Sequence, residues 1–217
     1  MRRLRLTPTR LAAAIAVATA TSVGVGYAAS LGLGSNQLHA WSQTLTKGTC
    51  NQTSTTADDT YVQQALPTST AGGPATTLTI SPVAAAQDYA FIRFDLSGCS
   101  LPTTGGADSA VLTVNVTTSG TDTISLFPVT SSWSSSTLNW NGVSGLTVGS
   151  TATGSFSTSS TGTKTVTVTA DVDTAIKAGT LWGWELRATS GVAIVAIGAS
   201  ENTTSARRPS MTLSYEK

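Results

Sequence analysis

Charge is scarce in this chain. Asp, Glu, Lys and Arg make up 11% of its 217 residues, and His39 is the single histidine. A Ser-His-Asp triad would need His39, which lies ahead of the regular part of the chain, to fold back onto it. One histidine and two cysteines cannot build a zinc site once the cysteines pair. Long helix-forming side chains are also few. β-branched Thr and Val dominate instead, and roughly a third of all residues are Ser or Thr, well above ordinary usage. These shortages argue against an α-rich fold and against metal or histidine catalysis.

One stretch alone approaches membrane length. Leu11–Ala29 is about 19 residues, but it consists of Ala, Thr, Ser and Gly rather than Leu and Ile, so its insertion energy is weak. Met1–Arg10 ahead of it is basic, and Ala28-Ala29-Ser30 offers a small-residue cleavage site. Residues 1–30 therefore read as an export signal, with an uncleaved anchor as the alternative. Arg2, Arg3, Arg5 and Arg10 leave with the leader, so eight of the twelve Lys and Arg remain against eleven Asp and Glu. No basic face is left for phosphate, which speaks against nucleic acid. After cleavage no membrane segment remains. In an exported chain, Cys50 and Cys99 are expected to form a disulfide. It would close a loop of about 50 residues and contribute about 3–4 kcal/mol through the unfolded state.

About 185 residues follow the leader, enough for one sandwich with a sizeable core. Leu31–Ala57 has no strong period and reads as an N-terminal arm tied down at Cys50. From Asp58 to the C terminus, strand signals recur with turn signals between them. The clearest is Tyr89–Leu96. Ala90, Ile92, Phe94 and Leu96 form an apolar face, expected to be core; Tyr89, Phe91, Arg93 and Asp95 share the other. Further strands are expected at Thr60–Ala65, Thr76–Ser81, Ser109–Thr117, Thr123–Val129, Thr163–Thr169, Leu181–Ala188, Val192–Gly198 and Pro209–Tyr215, with weak strand content in Leu146–Ser157. Asp171–Ala178 is the one short helix, capped by Asp171 and ended by Gly179. The fold class is all-β: an antiparallel β-sandwich of jelly-roll type with about ten strands and one short helix, over residues 58–217.

Several motifs occur in a fixed order. Asp59-Thr60-Tyr61-Val62 opens the domain, followed by Phe91-Ile92-Arg93-Phe94-Asp95-Leu96 and Ala110-Val111-Leu112-Thr113-Val114. Trp133 and Trp140-Asn141 flank a serine-rich segment. Asp171-Val172-Asp173, Ser200-Glu201-Asn202 and Arg208-Pro209-Ser210-Met211-Thr212-Leu213 complete the series. This order resembles the DNRLRE domain, a bacterial and archaeal extracellular β-sandwich family related to disaggregatase-type and alginate-binding carbohydrate-binding modules. The resemblance covers about Asp58–Tyr215. The family commonly has Ser-Arg-Glu where this chain has Ala199-Ser200-Glu201, and often an acidic residue within the serine row. The resemblance implies a secreted, wall-associated or glycan-binding module without catalysis.

The residues themselves offer these candidates. Trp182 and Trp184, at i,i+2 on one expected strand, should share a face and form an aromatic strip for a polysaccharide if that face is exposed. Trp133 and Trp140 can stack on sugar rings or anchor their loop. Arg93, with Asp95 on its face, and Glu201 can hydrogen-bond polyols; their other reading is an ionic network with Glu185 and Arg187. Glu185 and Glu201 are the carboxylates available for glycoside hydrolysis, but pairing with arginines is the expected role, so no catalysis is expected. Asp58 with Asp59, and Asp171 with Asp173, are the candidate ligands for calcium, the one cofactor considered. The resulting expectation is a secreted or cell-surface, non-catalytic module that binds a cell-surface or matrix polysaccharide. The alternative is a structural surface protein acting by self-association or by contact with a wall partner.

Overall fold

The computed structural model describes residues 47–101 and 106–216. The leader, most of the expected arm and His39 lie outside them. In chain order the elements are β1 Lys47–Gln52, β2 Ala57–Gln63, β3 Thr77–Ile80, β4 Asp88–Phe94, β5 Ala107–Thr118, β6 Thr123–Pro128, α1 Trp140–Val143, β7 Gly154–Ser157, β8 Gly162–Thr167, α2 Thr169–Ala178, β9 Trp184–Ser190, β10 Val195–Gly198 and β11 Ser210–Glu216. A 3-10 turn, Ser205–Arg207, precedes β11.

Two antiparallel sheets pack as a sandwich. The first has six strands built around β5, whose twelve residues serve two neighbours along one edge. Leu112 of β5 faces Met211 of β11, while Val116 faces Ile197 of β10. β8 pairs with the opposite edge, β1 lies outside β11, and β3 lies outside β10. The second sheet runs β2-β4-β9-β6-β7. The stretch read as an arm thus supplies a strand, β1. Its apolar signal is weak because Cys50 and Gln52, rather than aliphatic residues, fill its inward positions.

The main core lies between the sheets. Leu78, Ile80, Leu112, Ile197, Met211 and Leu213 from the first sheet meet Ile92, Phe94, Ile124, Leu126, Trp184 and Leu186 from the second. Each is fully removed from water or nearly so, a gain of about 1.5–3 kcal/mol per large aliphatic or aromatic side chain. The apolar face expected for β4 is therefore core. Its other face is also covered. The segment from Val129 to Val148 folds across the outside of the second sheet and makes a second cluster of Val62, Phe91, Val129, Trp133 and Leu138.

α2 packs against β5 with Val172 fully buried. It begins two residues earlier than expected, at Thr169, and Val168 at its N-cap makes no side-chain bond. Asp171 is therefore not the cap. Its carboxylate accepts from Trp184 Nε1 at 2.6 Å and from the Thr153 hydroxyl, so a buried indole claims it. Gly179 ends the helix at φ 77°, as its position predicts. The Cys50–Cys99 disulfide is formed and ties β1 to the loop after β4. Gln52 Nε2 lies within 3.0 Å of both sulfurs.

Candidate functional site

β4 carries Arg93 on the outer face of the second sheet. Register places Asp58 of β2 directly opposite. Arg93 Nε and Nη2 donate to the same oxygen, Asp58 Oδ2, at 2.9 and 2.6 Å. The fork thus leaves Arg93 Nη1 and Asp58 Oδ1 with no hydrogen bond to another described residue. Both side chains are about a quarter exposed. The Arg93 Cζ lies 5.1 Å from the Trp133 ring centroid and 5.4 Å from that of Trp182, so two indoles hold the guanidinium in place.

A cleft of about 560 Å³ opens beside this pair. Its walls include Asp58, Arg93, Asp95, Thr180, Leu181 and Trp182, and it reaches Cys99 of the disulfide. Trp182 is half-buried and presents the one indole among the described residues that line the cleft. Its carbonyl accepts from Trp133 Nε1 at 2.7 Å, which fixes the backbone on which that indole stands.

Several expected site residues fall elsewhere. Trp182 and Trp184 do not share a face. Gly183 lies between them at φ 74°, and β9 begins only at Trp184. A Cβ at Gly183 would collide with the Ile92 carbonyl, so only glycine permits this close approach. The alternation breaks there, sending Trp182 to the outer cluster and Trp184 to the main core. Trp184 is 0% exposed and cannot stack on a sugar. Trp133 is 7% exposed and serves as the loop anchor. Trp140 remains half-buried, 4.9 Å from Tyr89.

The ionic network also differs from expectation. Asp95 does not pair with Arg93; it accepts from Ser97 N at 2.8 Å and Ser97 Oγ at 2.9 Å. The Ser97 N–H, more than the arginine, holds its carboxyl below the ordinary carboxylate range. Glu201 is exposed, bonded to the Ser200 hydroxyl at 2.8 Å, and joins neither arginine. Glu185 does pair with Arg187, at 3.1 Å.

The four aspartates considered for calcium are dispersed among other partners. Asp58 holds Arg93. Asp59, its neighbour on β2, is buried and accepts from Ser200 N at 2.8 Å. Burial pushes the Asp59 carboxyl up to about 7, with the Ser200 N–H pulling the other way and Glu201 and Asp58 adding to the rise. Asp171 holds Trp184, and Asp173 pairs with Lys177 at 2.6 Å. Among the described residues no three acidic, histidine or cysteine side chains gather in a way that suits a metal.

Sequence reasoning missed two features of this cleft. Asp58 as the partner of Arg93 depends on strand register across 35 residues, which no local pattern carries. Thr180 and Leu181 line the cleft from the turn after α2, and Gly179 was the only local sign of that turn.

The cleft can donate, accept and stack within one small volume, as a sugar requires. No curated protein matches the chain. The family comparison agrees with the geometry: residues 51–215, from the end of β1 to the penultimate residue of β11, match the model of carbohydrate-binding module family 96, and the chain belongs to this family of non-catalytic carbohydrate-binding modules.

Proposed function

We propose that the cleft beside Arg93 binds a neutral polysaccharide of a cell surface or extracellular matrix, and that the protein is exported by its leader to do so. One observation carries the reading. The half-buried Trp182 stands beside an Arg93–Asp58 pair whose Nη1 and Oδ1 have no hydrogen bond to another described residue. A pyranose ring presents a C–H face to an indole and vicinal hydroxyls that both donate and accept. Trp182 meets the face, Arg93 Nη1 meets a hydroxyl oxygen, and Asp58 Oδ1 accepts a hydroxyl proton.

Charge supports the choice of a neutral sugar. The cleft holds Arg93 against Asp58 and Asp95, so it has no surplus of positive charge for a uronate. The disulfide at its rim fits an extracellular setting. The motif order shared with the DNRLRE domain falls wholly inside the matched span, which supports reading that likeness as one to a carbohydrate-binding family.

The test is affinity electrophoresis through gels containing, one at a time, mixed-linkage β-glucan, xylan, galactomannan or polygalacturonate. At least one neutral polymer should retard the protein, and Trp182→Ala should weaken that retardation about tenfold or more, consistent with loss of a central aromatic contact. Retardation by polygalacturonate alone would overturn the neutral assignment. No retardation in any gel would overturn the reading, and a structural protein acting by self-association would take its place.

A further inference from the structure

The outer face of the second sheet carries a second arginine–aromatic cluster. Arg187 of β9 places its Cζ 3.9 Å from the Phe127 ring centroid and 5.8 Å from that of Tyr89. Tyr89 packs at 4.9 Å on Trp140. Tyr89, Trp140 and Arg187 are all half-buried, so part of each meets solvent. Glu185 beside them is 1% exposed. Its Oε1 lies 3.1 Å from Arg187 Nε but is not aligned to accept from it, and this buried oxygen has no hydrogen bond to any described residue.

This cluster is not a closed interior network. A buried polar network normally satisfies each of its members. Here Arg187 donates to no described residue, although its guanidinium offers five N–H groups. The rings fix its plane, and the Glu185 carboxylate cancels its charge. What remains is a half-exposed, pre-oriented set of donors beside Tyr89, on which Trp140 packs. The Arg93 cleft has the same ingredients, and the two lie on one face. Tyr89 and Arg93 are four residues apart on β4, about 13 Å at the rise of a strand.

We propose that Arg187, Tyr89 and Trp140, with Glu185 as a positioning residue, form a second carbohydrate site that engages the same neutral polysaccharide as the Arg93 cleft. The proposal rests on the reading of that cleft as a glycan site. Trp140 takes a sugar face, Arg187 donates to hydroxyl oxygens, and Glu185 holds the guanidinium without leaving net charge. With both sites on one face, binding at either raises the local concentration of polymer at the other.

The same four gels test this. Glu185→Gln and Arg187→Gln are introduced together, so that no buried charge is left unpaired; Trp140→Ala is a second, independent variant. Each should still be retarded by the neutral polymer that retards the parent, but about tenfold more weakly, as expected when one of two linked sites is lost. Combining either with Trp182→Ala should abolish retardation. Melting temperatures separate binding from packing, because a purely structural cluster would lower them and leave retardation of the folded protein unchanged. Unchanged retardation in both the double variant and Trp140→Ala would overturn the second site while leaving the Trp182 cleft standing. Loss in these variants with no effect of Trp182→Ala would do the reverse. No retardation of the parent in any gel would overturn both.

Discussion

Replacing Asp59 by asparagine should stabilise the protein at neutral pH and remove most of the pH dependence this residue imposes. Asp59 is 2% exposed, and among the described residues only one of its oxygens has a partner: Oδ2 accepts from Ser200 N, while Oδ1 is buried with none. Its carboxyl is pushed from an ordinary 3.8 up to about 7. The folded state therefore keeps a proton that the unfolded chain releases. Below about pH 4 both states are protonated and Asp59 has no cost. As pH rises from there towards 7, folding requires proton uptake and stability falls; above about pH 8 the loss is complete. A rise of about 3 pKa units corresponds to about 4 kcal/mol at most, of which about 2–3 kcal/mol is lost between pH 5 and pH 8. The asparagine side chain would keep an oxygen for the Ser200 N–H and has no charge to bury. Its amide hydrogens would lack partners, at a cost of about 1–2 kcal/mol. The net expectation at pH 8 is a gain of about 2 kcal/mol.

Urea unfolding of the disulfide-intact protein, followed by tryptophan fluorescence at pH 5 and pH 8, measures this directly. Burial also raises the Glu185 and Asp88 carboxyls, so the quantity to compare is the difference between Asp59→Asn and parent at each pH. That difference should favour the variant at pH 8 and shrink or reverse at pH 5. Equal slopes against pH in the two proteins would refute the assignment of the proton to Asp59. A variant less stable at pH 8 would show that the carboxylate is compensated by something other than the Ser200 N–H.

Three further outcomes are expected. Gly183→Ala should destabilise by more than about 2 kcal/mol in thermal or urea unfolding, because the residue sits at positive φ and a Cβ would strike the Ile92 carbonyl; a neutral effect would mean the turn relaxes freely. Replacing Cys50 and Cys99 by Ser together should cost about 3–4 kcal/mol, given their separation of 49 residues, and reducing the parent should reproduce that loss. Trp184→Phe should lose the indole's bond to Asp171 and destabilise by about 1–3 kcal/mol without changing polysaccharide retardation, since the side chain is wholly internal.

Period-two alternation marked β4 and assigned its inward face, because side chains in a strand alternate whatever lies around them. Alternation does not say what covers the other face. Phe91 reads as a residue on a mixed surface, yet it is fully buried because a serine-rich, turn-filled segment some 40 residues later lays Trp133 and Leu138 over that sheet. The tryptophan pair failed for a local reason. Gly183 was visible, but nothing nearby showed that the backbone of β4 would press against it. The ion pair failed for a distant one: Asp95 is two residues from Arg93, whereas Asp58 reaches it only through pairing of β2 with β4. Local chemistry also drew Asp95 away, since a carboxylate followed two residues later by serine readily closes on that serine's N–H.

The edge strand β1 bears on how the domain carries mechanical load. Lys47 pairs with Glu216, Gly48 with Tyr215 and Thr49 with Ser214, so pulling on these two ends would open the edge like a zipper, one pair at a time and at low force. The next residue is Cys50, still paired with Leu213 but also bonded covalently to Cys99. Tension arriving at Cys50 would pass to Cys99 in the loop after β4, bypassing the rest of β1. Peeling would then stop after three residue pairs, with the sandwich behind it intact. In single-molecule stretching, the oxidised protein should release only a few residues of length before a high-force event. Under reducing conditions the opening should run on through β1. A module held in flow by its ligand would thus keep its edge strand through one covalent bond at the rim of its cleft.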